Sequence, residues 1–269
     1  MRLTSTQNPI VKYVRSLERA VVRNAEGAYL VEGVRLTSEA LAAGQIATHL
    51  LYDPSLLERT EEGLILLSRL TDWYAPRYEV TGHILEAVSE TETPAGIVAV
   101  LKRPPEPDID QLRGARFGVV LDRVSDPGNV GTILRTAAAV GADYVTAAPG
   151  TVDLYSPKSV RAGMGAHFRL AVFSAEWSRL TDVLRGVTVV SCDSHAKRSI
   201  YEAEWPFPLA LVVGSEAHGL SEEAASISKD AVRIPMAPGV ESLNASVAAG
   251  IVMYQALGRG IDKSDMRYT

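Results

Sequence analysis

The sequence predicts an α/β protein of two units, a smaller N-terminal α/β module and a C-terminal unit built on a mostly parallel sheet. Three observations carry that expectation. Short apolar runs of strand character alternate with stretches of helical spacing along nearly the whole chain. In the second half the strand candidates are continuously apolar, as strands covered on both faces are. Between the halves, residues 102–115 (KRPPEPDIDQLRGA) bring three prolines and mixed charge, the composition of an extended linker. The expected division is 1–101, a linker over 102–115, and 116–269.

In the first unit, Ile10, Val11, Val14 and Leu17 follow helical spacing, with charges between them that make a basic outer face. Ala28–Val31 reads as a strand and Val34–Ala43 as a helix ended by Gly44. Ile46–Tyr52 is a second strand, turned by Asp53-Pro54. Leu64–Leu67, Tyr78–Val80 and Gly96–Leu101 are further apolar runs, separated by helical patches such as His83–Ser89.

The second unit opens on a buried strand, Arg116–Leu121. A turn at Asp126, Pro127 and Gly128 leads into a helix starting near Asn129 and running to Val140. Further strands are expected at Tyr144–Ala147, Val187–Ser191 and Leu209–Val213. The chain closes on Arg233–Gln255, where an apolar strand end (Ile234, Pro235, Met236) and a loop broken by Pro238 and Gly239 meet an Ala-rich helix after Ser246. No internal repeat interrupts this order.

Composition narrows the function classes. Of 269 residues, 46% are hydrophobic, enough to bury real cores. No apolar run approaches the roughly 18 residues of a membrane span, and the basic, amphipathic N-terminus lacks a signal-peptide core. The single Cys192 and the five histidines show no metal-ligand spacing. A cytoplasmic protein without a structural metal is expected. The net charge of −5 argues against indiscriminate binding of a polyanion. Yet residues 1–24 carry Arg2, Lys12, Arg15, Arg19 and Arg23 against Glu18 alone, and residues 154–170 carry Lys158, Arg161 and Arg169 with no acid. Local basic patches suit selective contact with nucleic acid, and also suit solvated faces.

Three stretches carry candidate chemistry. DPGNVGTILRTAAAVGAD (126–143) follows the first strand of the second unit and holds Asn129 and Arg135. Six residues apart, these two would sit about 120° out of line on a helix, unless Asn129 lies in the preceding turn. LVVGSEAHGLSEE (211–223) ends a parallel strand, where open sheets bind ligands. It places Gly214 for close backbone approach and Glu216 at the strand end, as a site carboxylate or a helix cap. RIPMAPGVESLNASVAAGI (233–251) sets Ser242, Asn244 and Ser246 at a helix N-terminus, as ligand groups or plain caps. The phosphate-cradling patterns G-x-G-x-x-G and G-x-x-x-x-G-K-[ST] are absent, which disfavours a nucleotide-dependent enzyme of those types.

In order and spacing these stretches resemble the three motifs of the SpoU/TrmH family of RNA ribose 2′-O-methyltransferases. The resemblance runs through residues 116–258, including YSPKSVRAGMGAHFRL at 155–170, and VKYVRSLERAVVRNAEGAYLVEGVRLTSEAL resembles the family's substrate-binding domain. It implies a deep trefoil knot at the C-terminus, an exception to the rule against knotted chains. It implies S-adenosylmethionine bound largely by backbone from Gly214, Ile234, Met236 and Leu243, with Asn244 as a further cofactor-binding residue. It also implies a homodimer with a site completed across the interface.

Asn129, Arg135, Glu216, Ser242 and Asn244 fall on the family's polar positions. Arg135 is expected as an electrostatic stabiliser and phosphate clamp rather than a base, because a guanidinium stays protonated. Glu216 would organise the loop or Asn129, and Ser242 and Asn244 would orient the ribose or the knot. Lys12, Arg15, Arg23, Lys158 and Arg161 would hold RNA phosphates. Gly163 stands where the family often has serine, and Ala245 where a β-branched residue is frequent. The expected substrate is ribosomal RNA, 23S above all, ahead of transfer RNA. A noncatalytic knotted RNA-binding or assembly protein is the alternative, and it predicts loss of the polar motif residues, all of which are present.

Overall fold

The computed structural model describes residues 1–91, 93–215 and 218–258. The chain forms two compact units. One comprises Met1–Pro105 with Tyr155–Phe168, the other Glu106–Leu154 with the described residues from Arg169 onward.

The first unit is built on a four-stranded sheet of β1 (Ala28–Glu32), β2 (Ala47–Tyr52), β3 (Arg77–Glu79) and β4 (Ile97–Lys102), in the order β1-β4-β2-β3. β4 is antiparallel to both neighbours, whereas β2 and β3 run parallel. The first helix, Pro9–Ser16, starts where Asn8 accepts from the Ile10 amide and Pro9 supplies a preset φ. Val11, Val14 and Leu17 are buried, while Lys12 and Arg15 face solvent, as the spacing predicts. Ile46 falls outside β2 and is exposed. Leu64–Leu67 lies within a helix, Glu61–Arg69, capped by Thr60 through the Gly63 amide.

Two groupings differ from the sequence-based division. Residues 155–168 belong to the first unit, where the helix Pro157–Gly163 packs on β1. Tyr155 sets its edge on Tyr29 at 4.9 Å, and the Arg103 guanidinium lies 4.5 Å from the Tyr155 ring centre. At the other boundary, residues 106–113 join the second unit instead of spanning freely. Asp108 and Gln111 form a reciprocal capping box for the helix Ile109–Arg113, whose Leu112 is buried among Tyr144, Phe173 and Val183. Arg179 donates to the Pro107 carbonyl at 2.7 Å and pairs with Glu106.

The second unit carries a seven-stranded sheet. Its strands are β5 (Phe117–Leu121), β6 (Tyr144–Ala147), β7 (Ala171–Ser174), β8 (Thr188–Cys192), β9 (Arg198–Ser199), β10 (Leu209–Val213) and β11 (Asp230–Arg233). They lie in the order β7-β6-β5-β10-β8-β11-β9, with parallel pairing throughout. β5, β6 and β10 are buried at every position, which is why they read as continuous apolar runs. The chain leaves β5 toward β6 on one side, while β10 lies on the other side. A crevice therefore opens beyond the carboxyl ends of the central strands, where such sheets place their sites.

Candidate active site

Beyond the ends of β8, β10 and β11 lies a cleft of about 660 Å³. β10 leads into it through Val213, Gly214 and Ser215, and Leu220 returns along the same wall. The opposite wall is Ile234 and Met236, just past β11, with Ser242 and Leu243 ahead of the last helix, Ala245–Gly258. Ile234 lies after the strand rather than within it, because β11 ends at Arg233. Every residue expected to bind cofactor through its backbone, Gly214, Ile234, Met236 and Leu243, lines this one cleft, as does Ser242.

The loop after β10 is held by short-range geometry. Ser215 and Gly219 exchange backbone hydrogen bonds at 3.0 and 2.9 Å. A Cβ added to Gly214 would fall 2.8 Å from the Gly219 carbonyl carbon and oxygen, so the two strands of the loop approach as closely as only glycine allows. Glu216 lies outside the described residues.

Beneath this loop is a residue that sequence reasoning passed over. Asp122, at the exit of β5, is 0% exposed. Its Oδ2 accepts from the Ser221 amide at 2.6 Å, and Ser221 in turn caps the helix Glu222–Ile227 through the Ala224 amide. The Arg123 Nε stands 3.8 Å from Oδ1. A carboxylate buried this fully needs its amide partner, and through that bond β5 fixes where the loop from Gly214 to Leu220 comes back to the sheet. The only signal in the sequence was a carboxylate directly after an apolar strand, which is also the mark of an ordinary turn.

The helix Pro127–Ala139 starts earlier than expected. Asp126 caps it through the Asn129 amide at 2.8 Å, with Pro127 as its first residue, so Asn129 sits on the helix and not in the turn. This helix packs along Ala245–Gly258. Asn244 Nδ2 donates to Asn129 Oδ1 at 3.0 Å, and one turn or two further along, a Cβ on Gly250 would meet Thr136 at 3.6 Å. The two helices thus run side by side in the same direction, and the positive ends of both dipoles meet at the asparagine pair.

Asn244 also accepts from the Ser246 amide, the Ser246 hydroxyl and the Val247 amide, at 3.0, 2.6 and 3.3 Å. It is both a helix cap and a link between motifs. Arg135 is exposed on the Pro127–Ala139 helix, and its guanidinium has no hydrogen bond or ion pair among the described residues. It is not among the residues lining the cleft.

Cys192 lines the cleft at the end of β8, where desolvation pushes its thiol up to about 12. A thiol held protonated is a poor nucleophile, so the cleft offers wall rather than covalent chemistry there.

The expected phosphate-binding residues divide by exposure. Lys12, Arg15 and Lys158 are exposed. Arg161 is half-buried and pairs with Glu90 at 3.4 Å. Arg23 must be corrected: it is 2% exposed, and its Nη1 donates to the Leu17 and Glu18 carbonyls at 2.7 and 2.6 Å. It closes the end of the first helical segment, satisfying carbonyls that a helix terminus leaves open, and presents no charge to a phosphate.

Two family models match this chain, one in each half of the sequence. The family described as SpoU rRNA methylase matches residues 116–254, and the MRM3-like substrate binding domain matches residues 8–99. An uncharacterized tRNA/rRNA methyltransferase of Synechocystis is 35% identical, over 94% of this chain and 92% of its own length. The Bacillus subtilis 23S rRNA (guanosine(2553)-2′-O)-methyltransferase RlmP is 32% identical, over 96% of this chain and 99% of its own. Among solved structures, the SpoU methyltransferase AviRb from Streptomyces viridochromogenes, in complex with AdoMet, superimposes with a TM-score of 0.85 at 30% identity, covering 94% of this chain and 98% of that one.

Proposed function

Since the chain belongs to the SpoU rRNA methylase family, we propose that it transfers a methyl group from S-adenosylmethionine to a ribose 2′-hydroxyl of ribosomal RNA, 23S rRNA above all. The observation that carries this reading is the Asn244–Asn129 hydrogen bond, which joins the first and third motifs beside a cleft formed by the second and third.

The cleft fits the cofactor. Its volume of about 660 Å³ lies within the roughly 300–1,000 Å³ of small-molecule sites. Val213, Leu220, Ile234, Met236 and Leu243 give it apolar walls, and the close approach at Gly214 leaves backbone rather than side chain facing inward. S-adenosylmethionine supplies an electrophilic methyl on a sulfonium. The protein supplies orientation, because attack must come in line with the bond that breaks.

Arg135, always charged, stabilises the developing alkoxide and clamps the neighbouring phosphate, while the proton leaves to a phosphate oxygen or water. Ser242, exposed at the cleft, orients the ribose. Asn244 spends both ends of its amide on protein, and so acts by holding the two motif helices in register. Glu216 keeps its role as organiser of the loop in this reading. Lys12, Arg15, Lys158 and Arg161 are the phosphate contacts.

The same reading includes a homodimer and the trefoil knot. Val247, Ile251 and Tyr254 are 50%, 37% and 52% exposed, an apolar stripe along one side of the last helix that a second copy would cover. Arg135, standing on the adjacent helix and away from its own cleft, would then serve the partner's cleft. None of the described helices is long and apolar enough to cross a membrane.

The test is transfer of tritium from labelled S-adenosylmethionine to unmethylated ribosomal RNA and, in parallel, to transfer RNA, with nuclease mapping and an Arg135→Ala control. Label at a ribose 2′-oxygen of ribosomal RNA, lost in the control, is the expected result. Label in transfer RNA alone would reassign the substrate, and absence of cofactor binding by calorimetry would move the protein to the noncatalytic reading.

A further inference from the structure

On the first unit three aromatic rings follow one another at the border of the core. Tyr13, on the helix Pro9–Ser16, lies 5.1 Å from His49 on β2, and His49 lies 6.1 Å from Tyr78 on β3, with planes 20° apart. All three are half-exposed. Tyr13 and Tyr78 back onto the cluster of Val11, Val14, Leu51 and Val80, which fixes one side of the row and leaves the other to solvent.

Two features suggest that this row does more than pack. The register of β2 against β4 slips between Ala47 and His49, a bulge of the kind that re-aims a side chain next to a binding site. His49 is also held neutral: desolvation lowers its pKa, and its Nδ1 lies 3.1 Å from the Thr48 hydroxyl, which donates to the Val100 carbonyl. The ring is thus held in place within the row, stacked against Tyr78 and tilted against Tyr13.

The surroundings are basic. Lys12 and Arg15 flank Tyr13 on its helix, both exposed and without an ion pair among the described residues. Glu79, beside Tyr78, pairs with Arg2 at 3.6 Å. Burial and then the charge of Glu26 raise the pKa of the Tyr13 hydroxyl.

We propose that Tyr13, His49 and Tyr78 form a stacking platform for unpaired bases of the RNA substrate, with Lys12 and Arg15 holding the adjoining phosphates. Bases splayed from single-stranded RNA stack on aromatic side chains whatever their sequence, and nearby cations follow the backbone. The proposal rests on the RNA-methyltransferase reading for its choice of partner, and it adds base contacts to the phosphate contacts of the first unit.

The experiment compares binding of the full-length protein to a short labelled oligoadenylate and to an abasic ribose-phosphate strand of the same length, by fluorescence anisotropy. Wild type should bind the oligoadenylate more tightly. Tyr13→Leu and Tyr78→Leu should each weaken that binding roughly 10-fold, leaving the abasic strand and calorimetric cofactor binding unchanged. Tyr78→Phe should behave as wild type.

Equal wild-type affinity for both strands overturns the platform without any variant, and so does full retention of base-dependent binding by the leucine variants. Base-dependent binding without methylation of ribosomal RNA would sink the functional reading and leave the platform standing. Methylation without base-dependent binding would do the reverse.

Discussion

Asn244 and Asn129 meet side chain to side chain at 3.0 Å across 115 residues of sequence. The amide nitrogen of one donates to the amide oxygen of the other, while the oxygen of Asn244 is spent on the first turn of its own helix. Two parallel helices are fixed at their N-termini by a single residue.

That arrangement makes the two asparagines unequal. Asn129→Ala removes the bond from Asn244, worth about 1 kcal/mol. Asn244→Ala also removes a cap, for about 2 kcal/mol in total. Urea unfolding of both singles and the double should give a coupling energy of about 1 kcal/mol. Strict additivity would mean that the bond contributes nothing in solution.

Asp122 is expected to act on the cleft from beneath. Asp122→Ala leaves the Ser221 amide without its acceptor, at a cost of about 1–3 kcal/mol, and should weaken cofactor binding as the loop loses its anchor. Asp122→Asn keeps an acceptor oxygen and should recover most of that affinity. Calorimetric titration of both variants with S-adenosylmethionine decides the matter, since an Asn variant as weak as Ala would point to charge and not to the hydrogen bond.

Arg135 is exposed and bonded to nothing among the described residues, so replacing it should leave the melting temperature unchanged. Arg135→Lys keeps the charge and loses the planar fork. The missing charge-assisted bond, about 1.5–3 kcal/mol, lowers the single-turnover rate roughly 10- to 100-fold with cofactor affinity intact. A Lys variant that matched wild type would leave no role for the guanidinium's geometry.

Cys192 supplies a pH signature. Its thiol is raised from the ordinary 9.0 up to about 12, so an unfolded chain ionises first as pH rises. The folded state then binds more protons, and its stability from this group, complete below the unfolded value, falls as pH climbs through that window. Denaturant melts at about pH 8 and about pH 10 should show a loss in wild type that Cys192→Ala lacks in part. Alkylation of the native thiol near pH 8 should be slow compared with the unfolded chain.

Local chemistry in the sequence foretold much of the site. Gly214 betrays a close approach, and Asn244 before an Ala-rich run betrays a helix start. The second and third motifs pointed to residues that line one cleft, and the first to a helix joined to the third by the Asn129–Asn244 bond. Asp122 escaped because a buried anchor and a turn carboxylate look alike along the chain. Arg23 misled for a similar reason: a cation on a basic segment looks solvated until the carbonyls of Leu17 and Glu18 enclose it. The short strands β7, β9 and β11 lacked the length to show a period.

The sequence by itself determined the α/β class, the continuously buried central strands, the family, and the second and third motif segments that line the cleft, since each depends on side-chain pattern or backbone permission within a few residues. Only the tertiary structure decided that 155–168 belongs with β1, that Asn129 rides on its helix, that Asp122 anchors the loop, and that Tyr13, His49 and Tyr78 form one row. Those are relations between residues far apart in the chain, settled by which surfaces exclude water together and which buried polar groups find partners, and no local pattern encodes them.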